Sequence, residues 1–151
     1  MFNVVLVEPE IPPNTGNVAR LCLATGSTLH LVKPLGFSTE DRYLRRAGMD
    51  YWQQVRLRYW ASLAEFLGAT AQVEGRYLFS TKASRLYWDL AFRPDDYLVF
   101  GRETKGLPET LLRSHPGSCG RIPMHPEARS LNLATAVAIV LFEAVRQTQT
   151  L

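Results

Sequence analysis

The sequence predicts an α/β domain built on a mainly parallel sheet. Three observations carry that expectation. Short β-branched or aromatic runs alternate with amphipathic stretches along the chain. No internal repeat, low-complexity segment or linker divides the 151 residues. Polar and Gly-rich residues collect just after the apolar runs, at 14–17, 80–82, 101–106 and 124–132, and sheets of this kind bind ligands beyond the carboxyl ends of their strands. The length suits one domain, residues 1–151, whose core covers roughly 70% of the unfolded surface.

Taken in order, residues 4–7 are a β-branched run that stops at Glu8-Pro9. Pro12-Pro13 implies an extended turn, and Asn14 caps a helix to about Thr25 with Val18, Leu21, Cys22 and Thr25 as its stripe. Residues 29–33 form the second strand, closed by Pro34 and Gly36. Ser38 or Thr39 opens a short helix that ends at Gly48 in a left-handed cap. Residues 55–59 read as a strand, and Ser62 with Glu65 makes a capping box for a helix ending near Gly68. Residues 77–80 and 97–100 are short apolar strands. Pro108 starts another helix at its first position, residues 121–122 form a short strand before Pro123, and the last helix runs over about 132–147. That helix is apolar nearly all round, so it must be buried in the core or at a subunit interface.

Composition excludes several classes. Seventeen Lys+Arg against 14 Asp+Glu gives a formal charge of +3, which permits a polyanionic partner without demanding one. Cys22 and Cys119 make neither a disulfide framework nor a zinc site. The N-terminus lacks a signal-peptide pattern, and the apolar stretch 131–142 is shorter than the ~20 residues that span a bilayer, so a cytoplasmic protein without membrane contact is expected. His30 lies within a strand, while His115 and His125 lack metal-ligand spacing. No metal is expected, and no G-x-S-x-G elbow is present.

Three segments can carry chemistry. In Asn14-Thr15-Gly16-Asn17-Val18-Ala19-Arg20, Arg20 shares a helix face with Gly16, away from the apolar stripe. It is either a solvated residue or one with room beside it for another molecule. In 100–108, Phe-Gly-Arg-Glu-Thr-Lys-Gly-Leu-Pro, Gly101 and Gly106 allow close backbone approach to a ligand. Glu103 there accepts hydrogen bonds from a ligand or from neighbouring amides. In 121–134, Ser130 or Asn132 caps the last helix, and Ile122, Met124 and Leu131 are placed to sandwich a flat base.

Together, N-T-G-N-V-A-R, F-G-R-E-T-K-G-L and R-I-P-M-H-P-E-A-R-S-L-N-L resemble the three motifs of SPOUT RNA methyltransferases in order and separation. V-E-P-E-I-P-P-N-T-G-N and L-R-R-A-G-M-D-Y resemble the minimal TrmL (YibK-like) group. The resemblance implies helices on both faces of the sheet and a C-terminal deep trefoil knot. It implies S-adenosylmethionine as cofactor, S-adenosylhomocysteine as product, and 2′-O-methylation of a tRNA ribose, the wobble nucleotide 34 of leucine tRNAs. Carried onto this chain, the cofactor pocket takes Leu78, Ser80, Thr81, Gly101, Glu103, Ile122, Met124, Ser130, Leu131 and Asn132. Arg20 matches the family's catalytic arginine, and Asn14 is grouped with it. Arg42, Arg45, Arg46 and Lys105 are the RNA-contact candidates. A homodimer is implied, with the first and last helices at its interface and each site completed by both subunits. Another RNA ribose, a tRNA base, or a non-catalytic RNA-binding module are the alternatives. Arg102 and His125 stand where relatives can carry other residues, which loosens the transfer of RNA specificity.

Overall fold

The computed structural model describes residues 1–40, 42, 44, 46, 52–149 and 151. Its single sheet comprises β1 Asn3–Val7, β2 Thr28–Val32, β3 Arg56–Trp60, β4 Arg76–Phe79, β5 Tyr97–Phe100 and β6 Cys119–Gly120, in the order β3-β2-β1-β5-β4-β6. Every strand pairing is parallel. The helices are α1 Pro12–Thr25, α2 Leu63–Ala69, α3 Glu109–Ser114 and α4 Leu133–Thr148. Three single 3-10 turns lie at Trp52–Gln54, Tyr87–Asp89 and Pro116–Ser118.

The two-residue period of a strand decides the layering. Val4 and Leu6 of β1 join Val18, Ala19 and Cys22 of α1 and Val137, Val140 and Leu141 of α4 in one core. Val5 and Val7 face the other way, onto Phe66 of α2, Leu107, and Leu111 of α3. Helices therefore cover both faces, and β1 reads as an unbroken apolar run because neither face meets water. Each fully buried Leu or Phe stabilises by roughly 1.5–3 kcal/mol.

Several boundaries differ from expectation for physical reasons. Pro12 and Pro13 are the first two residues of α1 rather than a turn before it, and Ile11 precedes them without a side-chain cap bond. The first-turn amides have no intrahelical acceptor, so proline's missing N–H costs nothing there. Asn14 is thus inside the helix, and its side chain is free for tertiary contacts. Pro108, at ψ 134°, caps α3 from outside its first turn. The last strand is Cys119–Gly120, not 121–122. Arg121 instead keeps one bridge to Leu86, with its N–H donating to the Arg85 carbonyl at 2.8 Å and its carbonyl accepting from Tyr87 at 2.9 Å.

The caps of α2 and α4 match local rules. Ser62 Oγ accepts from the Glu65 amide at 3.1 Å, while the Glu65 carboxylate takes the Ala61 amide at 2.6 Å, one residue earlier than a capping box requires. Asn132 Oδ1 accepts from the Thr135 amide at 3.2 Å. Of the short helix expected after Thr39, Arg42, Leu44 and Arg46 are helical, with Leu44 buried and both arginines exposed; Arg45 and the Gly48 cap lie outside the described residues. Helix α4 is not enclosed all round: Phe142 is 44% exposed.

Candidate functional site

The strand order runs outward in opposite directions from the β1–β5 pair, and such a reversal opens a crevice at the carboxyl ends of the strands. A cavity of about 1010 Å³ occupies that place. Glu8 enters it from the end of β1, Ser80 to Lys82 from β4, residues 101–109 from β5, and Gly120, Ile122 and Met124 from β6. Residues 129–133 close it at the start of α4.

The three motif segments are physically joined here. The Glu103 carboxylate accepts from the backbone amides of Glu10 at 2.9 Å and Ile11 at 2.6 Å, and from Asn14 Nδ2 at 3.5 Å. A carboxylate at that position satisfies orphan amides and complements the positive end of α1. Asn14 Oδ1 in turn accepts from Asn132 Nδ2 at 2.9 Å, and Asn132 caps α4. Returning the contact, Glu10 accepts from the Thr104 amide at 3.2 Å and its hydroxyl at 2.7 Å. Those bonds hold the Glu10 carboxyl below the usual carboxylate range. Glu103 therefore satisfies the protein's own amides, the second of the two roles open to it in the sequence.

Gly101 is required by the fold before any ligand arrives. A Cβ there would stand 2.1 Å from the Gly106 carbonyl carbon and 2.2 Å from the Leu107 nitrogen. Gly106 has φ +66° and open space around it, so its need is conformational. The close approach foreseen for Gly101 is thus to the protein's own backbone as the loop doubles back.

Most sequence candidates meet in one place. Ser80, Thr81, Gly101, Glu103, Ile122, Met124, Ser130, Leu131 and Asn132 all line the cavity, as do Asn14 and Lys105. Leu78 does not: strand alternation turns it into the core with Phe66 and Val99, while its neighbour Phe79 lines the cavity. Arg20 is exposed on α1 and outside the lining of its own chain's cavity, and Gly16 is buried rather than open beside it. Arg42 and Arg46 are likewise exposed and outside that lining. Cys22 is fully buried, which pushes its thiol far up. That removes it as a nucleophile.

Sequence reasoning missed Glu8, Glu10 and the pairing of Lys82 with Glu109 at the rim. For Glu8 a signal existed: it is the first charged residue after β1, directly before Pro9. Arg102 also lines the cavity, and its buried Nε has no hydrogen-bond partner among the described residues.

Residues 1–142 match the model of the SpoU rRNA Methylase family. A tRNA (cytidine(34)-2'-O)-methyltransferase of Burkholderia pseudomallei (strain 1106a) is 52% identical over 149 residues, covering 97% of this chain and 96% of the relative. A solved structure described as "Structural insights into the 2-OH methylation of C/U34 on tRNA" is similar at TM-score 0.92 and 46% identity, covering 97% of this chain and 95% of that one. An AdoMet-bound rRNA methyltransferase from Sinorhizobium meliloti is similar at TM-score 0.86 and 28% identity, covering 96% of this chain and 56% of that one.

Proposed function

The chain belongs to the SpoU rRNA Methylase family, and on that premise we propose that it methylates the ribose 2′-hydroxyl of nucleotide 34, the wobble position of leucine tRNAs, with S-adenosylmethionine as donor. The observation that carries this reading is the convergence of three separated segments on one cavity, tied by the Glu103–Asn14–Asn132 contacts.

The residues present fit the donor. About 1010 Å³ accommodates a nucleoside with an amino-acid arm. Ile122, Met124 and the 37%-exposed Leu131 supply apolar surface for adenine, and the orphaned Arg102 Nε offers a donor to an anionic group. When bound, the cofactor supplies an electrophilic methyl group on a sulfonium.

Arg20 serves as a fixed cation, because a guanidinium keeps its protons. It stabilises charge developing on the ribose oxygen and grips a neighbouring phosphate. Its place on the exposed side of α1 suits a homodimer in which helices α1 and α4 pair and Arg20 serves the cavity of the second copy. The exposed Phe142 and half-exposed Leu21, Leu23 and Ile139 support that pairing. Lys105 at the rim and Arg42, Arg45 and Arg46 contribute phosphate contacts. The C-terminal trefoil knot belongs to the same reading, supported by the bonds that hold Gly120 and Arg121 against residues 80–87. The enzyme is a single cytoplasmic domain. No helix among the described residues is long and apolar enough to cross a membrane.

Incubation with methyl-labelled donor and total RNA, followed by nucleoside mapping, tests the proposal. Label is expected as a 2′-O-methyl group at tRNA position 34, and Arg20→Lys is expected to fold normally with turnover reduced about 100-fold. Label in ribosomal RNA, on a base, or nowhere would overturn it.

A further inference from the structure

Among the described residues, three carboxylates line the cavity, Glu8, Glu103 and Glu109. Two are engaged: Glu103 by the amides at the start of α1, and Glu109 by Lys82. Glu10, just outside, is engaged by Thr104. The Glu8 carboxylate has no partner among the described residues.

Its backbone is equally distinctive. Glu8 adopts φ +51°, a left-handed conformation that costs a residue with a Cβ and that glycine or asparagine tolerates better. The outlier sits two residues beyond Leu6, the last β1 position paired to β5, as Arg102 sits two residues beyond Phe100 on the adjacent strand. Strain of this kind persists where the side chain is needed at that spot.

We propose that Glu8 is the general base of the methyl transfer, resting on the function proposed above. As the ribose 2′-oxygen bonds to the methyl carbon, the sulfur–methyl bond breaks and sulfur keeps the electron pair as a neutral thioether. The hydroxyl proton passes to a Glu8 carboxylate oxygen and then to water. Glu8 complements Arg20, which cannot take a proton.

The test is Glu8→Gln in single turnover with wild-type tRNA and saturating donor, beside calorimetry with S-adenosylhomocysteine. A rate lowered roughly 100-fold or more is expected, with product affinity unchanged. The cavity's other charged groups among the described residues, Lys82, Arg102, Glu103, Lys105, Glu109 and Arg129, are the same in both proteins, so the rate difference belongs to the Glu8 side chain. Glu8→Gly adds a readout independent of activity: with strain relieved, its thermal midpoint rises by roughly 2–4 °C. Glu8→Gln at wild-type rate overturns the inference. So does product affinity lost in proportion to rate, or a Glu8→Gly midpoint that falls, which would make the side chain structural. A wild type that transfers no methyl group overturns the proposed function and this inference together, whereas an active wild type beside an equally active Glu8→Gln overturns this inference alone.

Discussion

Two polar networks tie the sheet together, and they differ in what they enclose. On the α2 face, His30 of β2 donates from Nε2 to Asn3 Oδ1 at 2.9 Å and accepts at Nδ1 from Trp60 at 3.1 Å. Its ring stacks on Trp60 and leans on Tyr97. This network is neutral, His30 at its centre is buried, and none of its residues lines the strand-end cavity. At the carboxyl ends of the strands, Glu103, Asn14 and Asn132 make a half-exposed, charged network whose outer side is the cavity wall. The same hydrogen-bond chemistry seals a core in one place and shapes a site in the other. The difference is whether water and ligand can reach one side of it.

The largest expected effect breaks the sealed network with acid. Burial, then the nearby Arg58 charge, lowers the His30 pKa from 6.5 to about 4. Protonation would also place an N–H against the Trp60 N–H. Stability is therefore complete above pH 6.5 and lost as the pH falls from 6.5 towards 4, by about 3 kcal/mol over that window. Urea unfolding across this range should show the slope, and His30→Gln should lack it while binding the cofactor with unchanged affinity. Next, Glu103→Ala strips the start of α1, with a loss of about 2 kcal/mol. Unlike His30→Gln, it should also weaken S-adenosylhomocysteine binding about tenfold by calorimetry. Asn132→Ala removes both the α4 cap and the tie to Asn14, costing about 1 kcal/mol by urea unfolding, with a measurable loss of cofactor affinity. The smallest effect is expected from Ser62→Ala at the α2 cap: about 0.5–1 kcal/mol, and no change in cofactor binding. An affinity change in that variant would break the distinction between sealing and site-shaping polar groups.

Legibility in the sequence followed the range of the interactions. Residues 97–100 and the last helix were readable because period and composition fix them locally, and the caps at Ser62 and Asn132 bind amides three residues on. The cavity's location was readable because polar residues after apolar strands have few other uses. Glu103 was ambiguous because its amide partners lie 92 and 93 residues away. Leu78 fell on the wrong side because a run carried over whole ignores strand alternation. The last strand was misplaced because the pairing of Leu78 and Phe79 with 119–120 depends on a neighbour distant in sequence. For Glu8 the sequence offered only its place as the first charge after β1, while its backbone angle and lack of partners are properties of the folded chain.

The margins of the sheet have a consequence for behaviour at high concentration. Unsatisfied strand borders template strand addition and fibre growth. Here one border is a two-residue strand, continued only as a bridged loop at Arg121. The other, β3, carries the exposed cations Arg56 and Arg58, so copies approaching border to border repel one another. Ribbon-like aggregation is disfavoured at both ends.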